Sequence, residues 1–189
     1  MKHAGAKPDL TLRILLFGER KSGKTTCCMT AARMLRENGL RPGGVVCPKL
    51  LDRAGEVIGI EVQNLLDDPP SREVLARTDR AMDGPSTGAY HFSEKGLQFG
   101  RKALDAGARL GDIVFADELG PLEMRGEGFS NLIDLARNPT TPPMVIVVRR
   151  DLVSDVCKAL APIPTPLLRF QSSHPEETPA RLLELLHVI

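Results

Sequence analysis

One segment constrains this chain more than any other. Gly18-Glu19-Arg20-Lys21-Ser22-Gly23-Lys24-Thr25 fits the pattern G-x-x-x-x-G-K-[ST] without deviation. The apolar run Leu10 to Phe17 feeds directly into it, and a helical pattern from Lys24 to Asn38 leaves it, with Gly39 where a C-terminal cap belongs. Gly18 and Gly23 are expected to take backbone angles closed to other residues. The loop amides then point inward and cradle phosphate oxygens, helped by the helix N-terminus. In this pattern Lys24 sets a point charge on the β- and γ-phosphates, and the Thr25 hydroxyl faces Mg²⁺.

A second acidic station fits the first. Ile113-Val114-Phe115-Ala116 is a wholly apolar run, as expected of a strand buried on both faces, and it ends in Asp117-Glu118. An Asp at such a strand tip can hold Mg²⁺, directly or through water, opposite Thr25. Glu118 beside it can polarise a water for attack on a γ-phosphate. A solvated acid or a salt-bridge partner is the plain alternative for Glu118. Asp117 and Thr25 are the predicted metal residues, and Lys24 and Glu118 the predicted catalytic ones.

The rest of the chain reads as alternating strands and helices with short spacers. Residues 44–48 and 56–63 are β-like, and Asp52-Arg53-Ala54-Gly55 between them predicts a hairpin turn. The stretch 64–87, with Asp67, Asp68, Pro69, Pro70, Gly84 and Pro85, reads as a loop with at most one short helix around 71–77. Further strands are expected at 88–92, 144–148 and 166–170, and helices at 93–109, at 127–138, after a capping Asp151 to Leu160, and at 175–188. Residues 1–9 read as a polar arm, and 10–189 as a single domain. The pattern predicts an α/β layered fold with a mainly parallel sheet.

Composition removes several function classes. Lys plus Arg number 25 against 24 Asp plus Glu, a net charge of +1, so no global field draws the chain to nucleic acid or anionic membrane. There is no Trp and one Tyr, Tyr90, which argues against a base-stacking platform. Cys27, Cys28, Cys47 and Cys157 form no C-x-x-C pair, so structural zinc is not expected and a reducing compartment is. The opening MKHAGAKPDLTLR has no apolar signal region, and the longest apolar run, Met144 to Val148, is far short of the ~20 residues that span a bilayer. A cytoplasmic protein without nucleic-acid or membrane partners is expected; the chain names no protein partner.

The stretch Asp117-Glu118-Leu119-Gly120-Pro121-Leu122-Glu123 resembles the D-E-x-G-x-x-E signature of the thermophile-type, cancer-related nucleoside-triphosphatase family. Thr25-Thr26, the Gly43-Gly44 pair, Gly59 and Gly88-Ala89-Tyr90 are similar too, and the resemblance spans roughly residues 11–150. It implies a three-layer P-loop NTPase fold with an added strand, helices on both faces and a β-hairpin after the first helix. It also implies Mg²⁺-dependent hydrolysis of ATP, with GTP, CTP and UTP as further candidates. Carried over, Gly18, Glu19, Arg20, Lys21, Ser22, Gly23, Lys24, Thr25 and Thr26 form the phosphate-binding stretch, and Asp117 completes the site. The sequence departs from many relatives in Cys47-Pro48-Lys49-Leu50-Leu51, which lacks their Glu and Arg, and in Phe170-Gln171-Ser172-Ser173, which replaces their Asn-Arg.

Other residues carry two readings each. Arg149 and Arg150 end the strand 144–148 at the edge where open α/β sheets bind ligands. Arg149 is therefore a candidate γ-phosphate contact, against a solvated strand end. Glu123 either bonds loop amides or takes part in chemistry. His3, His91, His174 and His187 share no ligand spacing and read as surface or packing residues. Tyr90 and Phe92 read as core strand residues. Three activities share the same cradle: a triphosphatase, a nucleoside or nucleotide kinase using Arg72, Arg77 and Arg80 in a lid, and a nucleotide-dependent adaptor with slow hydrolysis.

Overall fold

A computed structural model describes residues 12–19, 21–161, 167–171 (backbone only) and 177–186. The predicted arm at 1–9, and His3, Arg20, His174 and His187, lie outside the described residues. Strand β1 (Arg13–Gly18) runs through the loop into helix α1 (Lys24–Glu37). Then follow β2 (Pro42–Val46), β3 (Lys49–Leu51), β4 (Val57–Asn64), β5 (Ser71–Arg77), β6 (Ser86–Thr87) and β7 (Tyr90–Phe92). Helix α2 (Glu94–Leu110) precedes β8 (Ile113–Leu119), α3 (Pro121–Met124), α4 (Leu132–Arg137) and β9 (Met144–Arg149). A 3₁₀ turn at Arg150–Leu152, α5 (Val153–Leu160), β10 (Leu167–Gln171) and α6 (Thr178–Leu185) complete the order.

The strands form one sheet in the order β10-β1-β9-β8-β2-β4-β5-β7-β6, with β3 paired to β4. From β10 to β2 every pairing is parallel. The parallel half is the predicted sheet, and β9 is the added strand between β1 and β8. Period-two alternation divides its side chains between two cores. Ile14, Leu16, Phe115, Val145 and Val147 face α1 and α6, where Cys28, Ala31, Leu35, Leu182 and Leu183 meet them. Leu15, Val114, Ala116, Ile146 and Val148 face α2, α4 and α5, against Leu97, Leu104, Leu132, Val156 and Leu160. Helices on both faces explain why these strands are apolar without alternation.

Helix α2 begins at Ser93, whose side chain accepts from the Gly96 N–H at 3.3 Å. It lies directly on β2. A Cβ on Gly107 would fall 2.2 Å from the Gly44 nitrogen, so the helix and strand backbones touch there. At the far end of β1, Arg13 is fully buried and donates to the carbonyls of Ala136 (2.8 Å), Asn138 (2.8 Å), Pro142 (3.1 Å) and Thr141 (3.2 Å). That guanidinium holds the turn between α4 and β9. Burial pushes it down to about 10, so it remains charged at neutral pH.

Three expectations are corrected. Residues 71–77 are neither loop nor helix: β5 pairs antiparallel with β4 from Ser71↔Asn64 to Arg77↔Gly59, and Leu75 and Ala76 are buried. Tertiary pairing there outweighs the Pro and Asp punctuation before it. The helix predicted over 127–138 is only α4, because Gly126 (φ 74°) and Gly128 (φ 58°) take left-handed backbone that breaks a helix. Asp151 does not cap α5, whose first turn follows Leu152 without a side-chain cap.

Candidate functional site

Four parallel neighbours bring their carboxyl ends to one edge of the sheet. β1 ends at Gly18, in register with Arg149 at the end of β9. β8 places Asp117 opposite Val147, and its ladder shifts before Leu119, so Glu118 falls at the irregularity. β2 delivers Cys47 beside them, one residue beyond its last strand position. Strands lie about 4.8 Å apart, so β9 spaces the loop of β1 from the acids of β8 by about 10 Å.

The loop holds its lysine firmly. Lys24 Nζ donates to the carbonyls of Gly18 (3.1 Å) and Glu19 (2.8 Å) and reaches Ser22 Oγ at 3.4 Å. The ammonium is thereby fixed at the loop mouth, with only 9% of the residue exposed. Gly23 takes the expected left-handed angle, φ 82°. Gly18 does not: it continues the strand, and among the described loop residues Lys21, φ 62°, is the other left-handed one. Lys21 is exposed, as is Thr26 on the outer side of α1. The Glu19 side chain turns to Arg150 Nε, 2.8 Å away, while that guanidinium stands 6.0 Å over the Phe17 ring.

Asp117 is buried. It accepts from the Cys47 N–H at 3.1 Å, and the Thr25 hydroxyl lies near enough to favour its charged form. The two predicted metal residues are therefore neighbours. Burial pushes the Asp117 carboxyl up, while Thr25, the Cys47 amide and the Lys24 charge pull it back. Among the described residues no group of three or more His, Cys, Asp or Glu is placed to hold a metal ion by itself. One carboxylate and one hydroxyl are hard oxygen donors, the set that suits Mg²⁺ when water and phosphate complete its shell.

Glu118 is half-buried beside them. Its Oε1 is 4.0 Å from Arg149 Nε. Burial first, then the neighbouring Asp117 charge, pushes its carboxyl up to about 7, against the pull of Arg149 and Lys24. Glu123 takes the structural reading: its two oxygens accept from the Gly120 and Phe129 amides, each at 2.9 Å. Arg72 and Arg77 sit on β5 in pairs with Glu61 (3.8 Å) and Asp79 (2.7 Å), which ties them to the sheet rather than to a lid. His91 faces Ser86 Oγ at 3.0 Å on the β6–β7 ribbon, and Tyr90 and Phe92 are partly buried strand residues. The Cys47 amide escaped sequence reasoning because a backbone donor leaves no mark in residue type. Asp151, expected as a cap, instead stands 3.7 Å from Arg149 Nε.

Comparison with known proteins agrees with this geometry. A family model described as NTPase matches residues 13–166. Nucleoside-triphosphatase THEP1 of Methanopyrus kandleri is 30% identical over 137 residues, covering 72% of this chain and 73% of its own. The THEP1 of Sulfolobus acidocaldarius is 29% identical over 148 residues, covering 78% and 82%. The crystal structure of THEP1 from the hyperthermophile Aquifex aeolicus shares the fold, with TM-score 0.67 at 16% identity over 93% of this chain and 99% of that one. The solution structure of a human cancer-related nucleoside triphosphatase does so with TM-score 0.65 at 19% identity, over 92% and 95%. The chain belongs to this nucleoside-triphosphatase family and is an enzyme of the NTP-hydrolysing class.

Proposed function

We propose that this chain hydrolyses magnesium-bound nucleoside triphosphates, ATP among them, to the diphosphate and inorganic phosphate. The observation that carries the reading is the closeness of Thr25 to buried Asp117 beside the loop-held Lys24. Loop amides and the N-terminus of α1 bind the phosphate tail, and Lys24 offsets the charge on its β- and γ-groups. Thr25 and Asp117 would hold Mg²⁺, which when bound neutralises charge on the phosphate oxygens. Glu118 orients a water and takes its proton as the water oxygen bonds to the γ-phosphorus; the bond from that phosphorus to the β–γ bridging oxygen breaks, and the diphosphate leaves. Arg20, Lys21 and Thr26 belong to the phosphate-binding stretch by sequence alone. We place the activity in the cytoplasm as one domain; no described helix is long and apolar enough to cross a membrane.

The test is phosphate release from ATP, GTP, CTP and UTP, with and without magnesium. Wild type should turn over, and Glu118→Gln should lose on the order of a hundredfold or more while still binding nucleotide. Rates equal to the buffer blank for all four nucleotides would sink the reading.

A further inference from the structure

We propose that Arg149 is a positioning residue for Glu118, holding the carboxylate in place for the water rather than gripping phosphate itself. The inference rests on the hydrolytic reading above. Because β9 lies between β1 and β8, its last residue emerges between the phosphate loop and the acids. Arg149 Nε stands 4.0 Å from Glu118 Oε1 and 3.7 Å from Asp151 Oδ1, so the guanidinium lies between two carboxylates at ion-pair range. That nitrogen is buried and has no hydrogen-bond partner. Buried donors are nearly always matched, and among the described residues these two carboxylates are the acidic acceptors within ion-pair range.

The surroundings of Glu118 show why it needs such a partner. It sits at an irregularity of the β8 ladder, and its side chain is 38% exposed. Asp117 and Glu123 repel its charge; Lys24 and Arg149 attract it. Lys24 is already committed to the carbonyls of Gly18 and Glu19. The adjacent Arg150 is committed to Glu19 and the Phe17 ring. Of the two described cations that attract the Glu118 charge, Arg149 is the one whose Nε makes no hydrogen bond elsewhere, and it can fix the direction of the Glu118 side chain. A hold through Oε1 leaves the second carboxylate oxygen for the proton of water, and a misplaced base is known to cost rate far more than affinity.

A double-mutant cycle tests this, using single-turnover ATP hydrolysis by wild type, Arg149→Ala, Glu118→Gln and the double variant, with MgADP calorimetry and thermal melts alongside. Arg149→Ala should lower the rate about tenfold to a hundredfold with KM and MgADP affinity within about threefold. In the Glu118→Gln background the same change should cost less than about twofold. Arg149→Lys, which keeps the charge, should recover part of the loss, and it covers the case in which Arg149→Ala does not fold. An equal loss in both backgrounds, or MgADP binding weakened tenfold, would assign Arg149 to phosphate and overturn the inference. So would an unimpaired Arg149→Ala in an active enzyme. A wild type with no turnover would instead overturn the hydrolytic reading, and this inference with it.

Discussion

Replacing Glu123 by Gln should loosen the site from behind. Glu123 is 8% exposed, and each carboxylate oxygen accepts one backbone N–H at 2.9 Å, from Gly120 and from Phe129. Gln keeps one acceptor and turns an NH₂ donor toward the other amide. One bond to a charged group, worth about 1.5–3 kcal/mol, becomes a donor–donor contact, and the other weakens to about 1 kcal/mol. Removing a buried charge returns part of this, because burial already pushes the Glu123 carboxyl up. The net loss should be about 2 kcal/mol. For a chain of this size that lowers Tm by about 4–8 °C. Gly120 follows Glu118 by two residues, and a Cβ on it would lie 3.4 Å from both Glu118 Oε1 and Glu123 Oε2. The turnover rate should therefore fall together with Tm, while MgADP affinity stays within about threefold. A thermal melt within about 1 °C of wild type would refute the reasoning.

Other expectations are independent of that clamp. Gly107→Ala should destabilise by about 3 kcal/mol or more, since its Cβ would fall 2.2 Å from the Gly44 nitrogen and backbone cannot step aside; urea unfolding checks it. Arg13→Ala should cost about 3–5 kcal/mol, because four backbone carbonyls at 123 to 129 residues' separation lose their donor; a soluble variant within 1 kcal/mol of wild type would contradict the role. Burial pushes Cys27 up to about 12 and raises Cys28 and Cys47 as well. A thiol reagent at neutral pH should therefore modify Cys157, partly exposed on α5, ahead of the other three, and Cys157→Ser should abolish that fast phase.

The parallel half of the sheet was legible because each of its strands is an apolar run buried on both faces, which few other environments tolerate. The cradle was legible because glycine, lysine and threonine at fixed spacing have a single mechanical purpose. β5 was not, since Ser71-Arg72-Glu73-Val74-Leu75-Ala76-Arg77 carries three charges and becomes a strand only through its partner β4. The exception inside the cradle is also local. Lys21, not Gly18, takes the left-handed angle, and the spacing of the motif says nothing about which loop residue must do so. The company of Arg149 was beyond sequence reasoning, because Glu118 lies 31 positions away and a ladder irregularity sets its direction.

In the proposed mechanism Lys24, Thr25 and Asp117 form one seat for a magnesium-bound phosphate tail. Calorimetry of MgADP binding to wild type, Lys24→Ala and Asp117→Asn tests it most directly. Wild type should bind, Lys24→Ala should weaken binding at least about tenfold, equivalent to about 1.4 kcal/mol, and Asp117→Asn should remove most of the gain that magnesium gives over ADP alone. Equal dissociation constants for all three proteins would contradict the account.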